Sequence, residues 1–213
     1  MFFELTDLLT CPRCGPQHGL VLLVKDVEDR RVREGWLGCP NCRNDYPVEA
    51  GVADLRLAPG PETEAKPPYH EEELSIKIMA LSGLEQEKAV LALDGRLAHA
   101  ASAIVERAPE LEIIVLLGSR DAGGVEAGVS RIMYDVEIPL AERALRCIAL
   151  APGGDPERVA AASRRVAGEG RLVLFDAREE DIEAAKSDGL TVLAAEGSTA
   201  VAERRSGSLP IVG

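Results

Sequence analysis

Aromatic residues are scarce in this 213-residue sequence, and it has neither long apolar runs nor an excess of basic residues. Aromatic residues make up only 3% of it, which disfavours a surface that stacks nucleic-acid bases. No run of 18 or more apolar residues occurs, so a membrane-spanning helix is excluded. The net charge is −12, with 27 acids against 17 bases after Leu57. We therefore expect no electrostatic binding to a phosphate backbone and no association with a membrane.

The first seven residues contain two acids and lack both a basic start and a long apolar run. They do not resemble a secretory signal peptide. A secreted scaffold held together by disulfides is therefore not expected, and the sequence predicts a cytoplasmic protein.

Four of the five cysteines form two Cys-x-x-Cys pairs, Cys11 with Cys14 and Cys39 with Cys42, separated by 24 residues. Two such turns are typical of one tetrahedral thiolate site for Zn²⁺. A thioredoxin-like redox site needs a single Cys-x-x-Cys inside a βαβ unit, which fits this pattern less well. We predict that Cys11, Cys14, Cys39 and Cys42 bind a structural zinc ion, because four thiolates leave no open ligand position.

Two other residues that could bind a metal have simple interpretations. His18 lies close to the first cysteine pair and is an alternative ligand, although a solvated loop histidine is the simpler reading of its position. Cys147 lies in a predicted buried strand, where a free cysteine behaves as a small core hydrophobe. Neither residue is counted in the predicted metal site.

Residues 1–57 are predicted to form a small, β-rich zinc ribbon. The run Leu20–Val24 is apolar and contains two β-branched valines, as in a strand, and the mostly charged residues 26–34 are typical of a hairpin tip. Pro47 restricts the strand that follows the second cysteine pair to a sheet edge.

The motifs Leu-Thr-Cys-Pro-x-Cys, Cys-Pro-x-Cys and Tyr-Pro-Val-x-x-Gly-Val resemble the small zinc proteins that bind and activate tRNA, rRNA and translation-factor methyltransferases. The resemblance covers residues 5–57. It implies that Tyr46–Leu55 adds a strand to the sheet of a partner. The alternative is that Tyr46, Val48 and Trp36 only fill a small core.

Residues 58–70 are rich in proline and charge, which predicts a linker to a second domain, residues 71–213. In that domain short apolar runs alternate with helical patterns. We predict helices at 71–81, 96–108, 156–166 and 179–187, and strands at 89–93, 112–117, 130–134, 147–150, 171–176, 190–195 and 199–204. This alternation predicts an α/β fold with a doubly wound, mostly parallel Rossmann-like sheet that ends in an antiparallel hairpin.

The order of these elements over about residues 85–205 resembles class I S-adenosylmethionine-dependent methyltransferases. The segments 135–140, after the third strand, and 164–174, around the fifth, carry the likeness together with the closing hairpin. A zinc module before a methyltransferase domain also occurs in bacterial large-subunit rRNA guanine methyltransferases, to which the match is looser. The resemblance implies a glycine-rich cofactor loop after the first strand and a ribose-binding acid at the end of the second.

Both cofactor features depart from the family pattern. Where a loop such as Gly-x-Gly-x-Gly is expected, Asp94-Gly95-Arg96 keeps one glycine. The ribose-binding acid falls on Leu117, whose apolar side chain accepts no hydrogen bond. Asp135 matches the acid that meets the adenine, although a turn or a helix cap is the alternative. No Asn-Pro-Pro-Tyr motif follows the fourth strand, so no catalytic or cofactor-binding residue is assigned.

Two functions remain open. In the first, which we favour, the chain is not an enzyme but a scaffold or activating partner whose methyltransferase-like domain has lost its cofactor site. In the second it is an active methyltransferase that holds S-adenosylmethionine through Asp94, Gly95 and Asp135. For the first function we expect a protein partner, either a methyltransferase or the C-terminal domain of the same chain. A short linker favours docking of the ribbon within the chain.

Overall fold

The computed structural model describes residues 1–58, 70–84, 89–118, 127–135 and 137–205. In these ranges the helices are α1 Glu71–Ser82, α2 Ala101–Arg107, α3 Pro156–Arg165 and α4 Glu179–Ser187, with 3-10 helices at Phe3–Asp7 and Gly95–Ala100. The strands are β1 Thr10–Cys11, β2 Gly15–Gly19, β3 Val21–Glu28, β4 Arg31–Gly38, β5 Asp45–Glu49, β6 Val52–Asp54, β7 Val90–Asp94, β8 Glu112–Leu117, β9 Val129–Met133, β10 Leu145–Leu150, β11 Val166–Leu174, β12 Thr191–Glu196 and β13 Thr199–Glu203.

The helices and strands predicted after residue 70 are all present, with two differences in detail. The predicted helix at 96–108 begins as a 3-10 turn, where the Asp94 carboxylate accepts a hydrogen bond from the Arg96 backbone N–H. Strand β11 begins at Val166, five residues before the predicted start, and follows α3 without a loop. Most of the predicted linker, residues 59–69, lies outside the described residues.

Eleven strands form one sheet in the order β12-β13-β11-β10-β7-β8-β9-β6-β5-β4-β3, and β1 and β2 form a separate hairpin. The six strands from β11 to β6 in this order are parallel neighbours. The other five pairs are antiparallel, including the predicted hairpin of β12 and β13. The mostly parallel sheet predicted for residues 71–213 is therefore present in part, because strands β3 to β5 from the preceding residues extend the same sheet with antiparallel pairs.

Strand β6 joins the predicted ribbon, residues 1–57, to the rest of the sheet. Its residues Val52–Asp54 pair in parallel with Arg131–Met133 of β9. The ladder continues for one residue, since the Leu55 N–H donates to the Met133 carbonyl at 2.9 Å. The segment Tyr46–Leu55, which the family resemblance predicts to add a strand to a partner's sheet, therefore pairs with the C-terminal part of the same chain.

Phe2 and Arg31 make two further contacts between the same two parts of the chain. The Phe2 N–H donates to the Ser130 hydroxyl at 3.1 Å. The Arg31 guanidinium meets both carboxylate oxygens of Glu112 at 2.9 and 3.0 Å. A hydrogen bond between two ionised groups is stronger than one between neutral groups, so these two contacts add to the pairing of β6 with β9.

Two apolar layers cover the two faces of the sheet. Helices α1 and α2 pack on one face. On the other face α3 and α4 share a single core with the ribbon, in which Leu37, Tyr46 and Val48 belong to the same cluster as Ile114 and Ile132. Among the described residues, no helix combines the length and the apolar composition that a membrane crossing requires.

Candidate functional site

The four predicted metal ligands converge. The Sγ atoms of Cys11, Cys14, Cys39 and Cys42 all lie within 4.8 Å of one another. Cys11 and Cys42 are 3.7 Å apart, and Cys14 and Cys39 are 3.9 Å apart. A tetrahedral zinc site with Zn–S bonds of about 2.3 Å separates its sulfurs by about 3.8 Å, whereas a disulfide needs about 2.05 Å. The cluster therefore has the dimensions of a tetrahedral metal site made of free thiols.

Tight turns place the sulfurs. Gly15 follows the first pair with a φ of 85°, a conformation that glycine adopts without strain. In the second turn the Cys39 N–H donates to the Asn44 carbonyl and the Arg43 N–H donates back to Cys39, both at 2.9 Å. His18, the alternative ligand, lies on β2 and is not part of the four-thiol cluster.

Two polar side chains contact the sulfurs from outside the cluster. The Tyr46 hydroxyl lies 3.4 Å from Cys11 Sγ, and the Asn41 amide donates to Cys14 Sγ at 3.3 Å. Burial alone would raise the pKa of Cys11, but hydrogen bonds from Tyr46 and from nearby backbone N–H groups outweigh it and lower the pKa to about 7. Burial and the contact with Cys11 raise the pKa of Tyr46, so its hydroxyl stays protonated and donates.

The carboxyl end of β7, where the family resemblance places a cofactor, is filled by an ion pair. Asp94 is only 2% exposed. Its Oδ1 accepts a hydrogen bond from Arg158 at 2.8 Å, and its Oδ2 accepts one from the Ala151 N–H at 3.0 Å. Arg158 also lies 3.4 Å from the Tyr134 hydroxyl. Burial would lower the pKa of Arg158, but Tyr134 and Asp94 outweigh it and raise the pKa, which keeps the guanidinium charged.

Gly95 and Arg96, which follow Asp94, also pack at the carboxyl edge of the sheet. A Cβ added at Gly95 would lie 3.1 Å from the Leu116 carbonyl oxygen. The remaining glycine of the loop is therefore explained by close packing between the ends of β7 and β8. Arg96 donates to the Ala151 carbonyl at 3.1 Å and lies 3.6 Å from the Asp176 carboxylate, so it bridges the ends of β10 and β11.

The other two expected cofactor positions have structural roles as well. Leu117 is 5% exposed and belongs to the core on the α1 and α2 face. The Asp135 carboxylate accepts hydrogen bonds from the Leu57 and Ala58 N–H groups, each at 3.0 Å. The acid that resembles an adenine contact thus holds the segment that leaves the ribbon.

A cavity of about 650 Å³ lies beside this edge, between the ends of β8 and β9 and helix α3. Its lining is mostly charged and polar and includes Tyr134, Asp135, Arg158 and Arg164. Among the described residues, the pair of Asp94 and Arg158 lies at the end of β7, and the open volume lies to one side of it, with Arg158 in its lining.

Arg158, Arg96 and Tyr134 belong to this edge and were not among the predicted site residues. A signal for Arg158 exists, since it lies in the first turn of the helix that follows β10, at the carboxyl edge of a parallel sheet.

The half-buried His99 lies in the 3-10 helix after β7. Burial raises the pKa of Cys147 to about 12, which agrees with its interpretation as a core residue.

No family model and no curated protein matches the sequence. Among solved structures, the chain is similar to precorrin-6y C5,15-methyltransferase from Geobacter metallireducens GS-15, with a TM-score of 0.51, 17% identity and coverage of 68% of this chain and 94% of that one. It is also similar to a geranyl diphosphate methyltransferase in complex with SAM, with a TM-score of 0.51, 11% identity and coverage of 63% and 85%.

A third similar structure is a complex between the Haloferax volcanii Trm112 methyltransferase activator and a methyltransferase, with a TM-score of 0.49, 11% identity and coverage of 65% and 92%. Some longer methyltransferases are matched over less than two thirds of their own length, 62% and 60% in two cases. The chain therefore has a methyltransferase-like α/β fold together with a four-cysteine cluster close enough to hold a metal ion.

Proposed function

We propose that this chain is a non-catalytic, zinc-binding scaffold. It consists of a zinc ribbon, residues 1–57, a linker, residues 58–70, and a doubly wound, Rossmann-like domain, residues 71–213, that is a pseudoenzyme of the methyltransferase type. The observation that carries the proposal is the pair between Asp94 and Arg158 at the carboxyl end of β7. It uses the polar groups that a cofactor would need.

Zinc is the metal that best suits the cluster. Four thiolates with tetrahedral spacing are typical of structural zinc, and Cys11, Cys14, Cys39 and Cys42 would complete its coordination. When bound, the ion holds the two turns together and supplies no open position for a substrate. Tyr46 and Asn41 would orient and stabilise the thiolates from the outer shell.

Cofactor binding would be opposed by the energy of the existing contacts. A ligand that took Asp94 from Arg158 would leave a largely buried guanidinium without its carboxylate. Losing one partner of a buried pair costs about 3–5 kcal/mol. Leu117 offers no acceptor for the ribose hydroxyls in return. These two deficits together favour a scaffold over an enzyme.

The ribbon's edge bears on which partner the chain can bind. In the activator family that residues 5–57 resemble, this edge adds a strand to a partner's sheet, and here β6 pairs with β9 of the same chain. We infer that the activator-like contact is made within the chain. A separate protein partner would then need another surface.

Titration calorimetry of the full-length, zinc-loaded protein with S-adenosylmethionine and with its demethylated product tests this function. We expect no heat of binding for either compound at micromolar concentrations. Micromolar binding to the unaltered protein would overturn the proposal. The variant Arg158→Ala, checked for folding by thermal denaturation, is the matched control, since weak binding that appears only in this variant would show that Arg158 closes the site.

One observation favours a second function, an active methyltransferase. The cavity of about 650 Å³ beside Tyr134 and Asp135 lies within the size range of ligand pockets, about 300–1,000 Å³. In this alternative the cofactor lies to one side of its usual place. The same titration decides between the two functions, and Asp135→Ala should weaken binding only if the second is correct.

A further inference from the structure

The four sulfurs of the cluster differ in their exposure to solvent. Cys11 and Cys39 are buried, whereas Cys14 and Cys42 are partly exposed. The Asn41 amide donates a hydrogen bond to Cys14 Sγ, and such a donor makes a thiolate less nucleophilic. Within the part of the chain that the structure describes, no side chain outside the cluster makes a hydrogen bond with Cys42 Sγ. Cys42 is therefore the sulfur that a small oxidant in solution reaches most readily.

A second thiol stands next to this exposed sulfur. Cys11 Sγ lies 3.7 Å from Cys42 Sγ, the shorter of the two sulfur pairs. An oxidised cysteine beside a second thiolate goes on to form a disulfide. Since Cys11 and Cys42 belong to different turns, a disulfide between them links the two halves of the cluster.

Cys11 also directly follows a segment that binds the C-terminal part of the chain. Two antiparallel hydrogen bonds join residues 8–10 to residues 139–141. The Thr10 N–H donates to the Pro139 carbonyl at 3.0 Å, and the Ala141 N–H donates to the Leu8 carbonyl at 2.8 Å. We call this pairing the 139–141 contact. A movement of Cys11 therefore pulls on it through a single peptide bond.

The residues just before the 139–141 contact form one wall of a cavity. Glu137 and Ile138 line the space of about 650 Å³ beside the ends of β8 and β9. The Ile138 carbonyl accepts a hydrogen bond from Arg165 at 3.0 Å. Arg165 is only 1% exposed, and its Nε and Nη1 have no hydrogen-bond partner among the described residues. Both the ribbon and this incompletely paired guanidinium therefore hold the wall.

We propose that the four-thiol cluster is a redox-sensitive switch that controls this wall of the cavity. The oxidant is a peroxide. Hydrogen peroxide and one proton convert the Cys42 thiolate to a sulfenic acid and one water. The Cys11 thiolate then attacks the Cys42 sulfur, the S–O bond breaks, and the departing hydroxide takes a proton and leaves as a second water. Two thiolates thus give two electrons to one peroxide, and one disulfide forms.

The disulfide changes the ribbon in two ways. It draws the two sulfurs from 3.7 Å to about 2.05 Å, and it removes two of the four ligands of a tetrahedral site. Cys11 and Thr10 then move, the 139–141 contact breaks, and the wall at Glu137 and Ile138 is released. This inference rests on the zinc ribbon proposed above and adds a regulation to it.

Hydrogen peroxide added to the full-length, zinc-loaded protein tests the switch. A chromophoric chelator should report one zinc lost for every two thiols oxidised, and mass spectrometry of proteolytic fragments should find Cys11 linked to Cys42. Amide hydrogen exchange at Ala141 should become at least about tenfold faster. Exchange at Phe175, whose N–H donates to the Leu150 carbonyl, should stay the same. A dithiol reductant with added zinc should restore the original exchange.

Two variants test the choice of cysteines. Asn41→Ala removes the donor to Cys14, and a second link, between Cys14 and Cys39, should then form as well, since their sulfurs lie 3.9 Å apart. Cys147→Ser is the control. Cys147 is fully buried, so its replacement should alter neither the zinc loss nor the linked cysteines.

The outcomes separate this inference from the function on which it rests. Protein that binds no zinc would overturn the zinc ribbon and the switch together. Three results would overturn the switch alone: zinc that peroxide does not remove, a first link between other cysteines, or zinc loss with unchanged exchange at Ala141. The calorimetry with S-adenosylmethionine reports separately on the scaffold function.

Discussion

The four-thiol cluster and the carboxyl end of β7 are both groups of convergent polar side chains, and they differ in what their polar atoms contact. In the cluster, four sulfurs face one another at about the spacing of a tetrahedral metal site. At the end of β7, the Asp94 carboxylate accepts hydrogen bonds from Arg158, Ala151 and Arg96. One group needs a ligand to be satisfied, and the other is satisfied already. A group of convergent polar residues therefore indicates a binding site only when some of its polar atoms have no partner within the protein.

The largest effect is expected at the four-thiol cluster. Removing the metal with a chelator, or making the double variant Cys11→Ser and Cys42→Ser, should unfold the ribbon, because binding energies of about 10–16 kcal/mol are as large as typical stabilities of whole domains, about 5–15 kcal/mol. Metal content and circular dichroism measure the effect. Cys147→Ala is the control and should keep one metal per chain. A folded ribbon without metal would contradict the contrast between the two groups.

At the end of β7 the expected loss is stability alone. Asp94→Asn leaves Arg158 without its carboxylate and should lower the free energy of unfolding by about 3 kcal/mol. Asp176→Asn is the matched control, since Asp176 is 42% exposed in its pair with Arg96 and should cost less than about 1 kcal/mol. Urea denaturation measures both. Equal losses would mean that the Asp94 pair is no stronger than a surface pair.

The hydroxyl of Tyr46 should affect metal affinity without determining the fold. Tyr46→Phe removes the hydrogen bond to Cys11 and should weaken zinc binding by about 10-fold to 100-fold, as for other outer-shell partners. Competition with a chromophoric chelator measures the affinity. Tyr134→Phe, which removes a hydroxyl from the other group, should leave zinc affinity unchanged, and an equal loss there would show a general effect on folding.

The smallest effect is expected at Asp135. Asp135→Ala removes the acceptor for two exposed N–H groups, Leu57 and Ala58, and should cost about 0.5–1.5 kcal/mol. Amide hydrogen exchange should accelerate at those two residues and remain unchanged across β9. Asp26→Ala, at an exposed aspartate of β3, is the control and should leave exchange at Leu57 and Ala58 as it was.

Local patterns predicted the elements better than they predicted the sheet. The cysteine spacing and the alternation of apolar runs after residue 88 depend on neighbouring residues, which a sequence displays directly. The parallel pairing of Val52–Asp54 with Arg131–Met133 depends on residues 79 positions apart, and only the family resemblance pointed to that edge. The role of Arg158 was missed for the same reason, since its partner Asp94 lies 64 positions away.

The pairing of β6 with β9 also has a consequence for synthesis of the chain. Residues 52–54 leave the ribosome well before residues 131–133. At about 5–20 residues per second, this interval of 79 residues lasts roughly 4–16 s. During that time the nascent ribbon presents an uncovered strand to the cell, and the growing polypeptide protects it only after β9 has been translated.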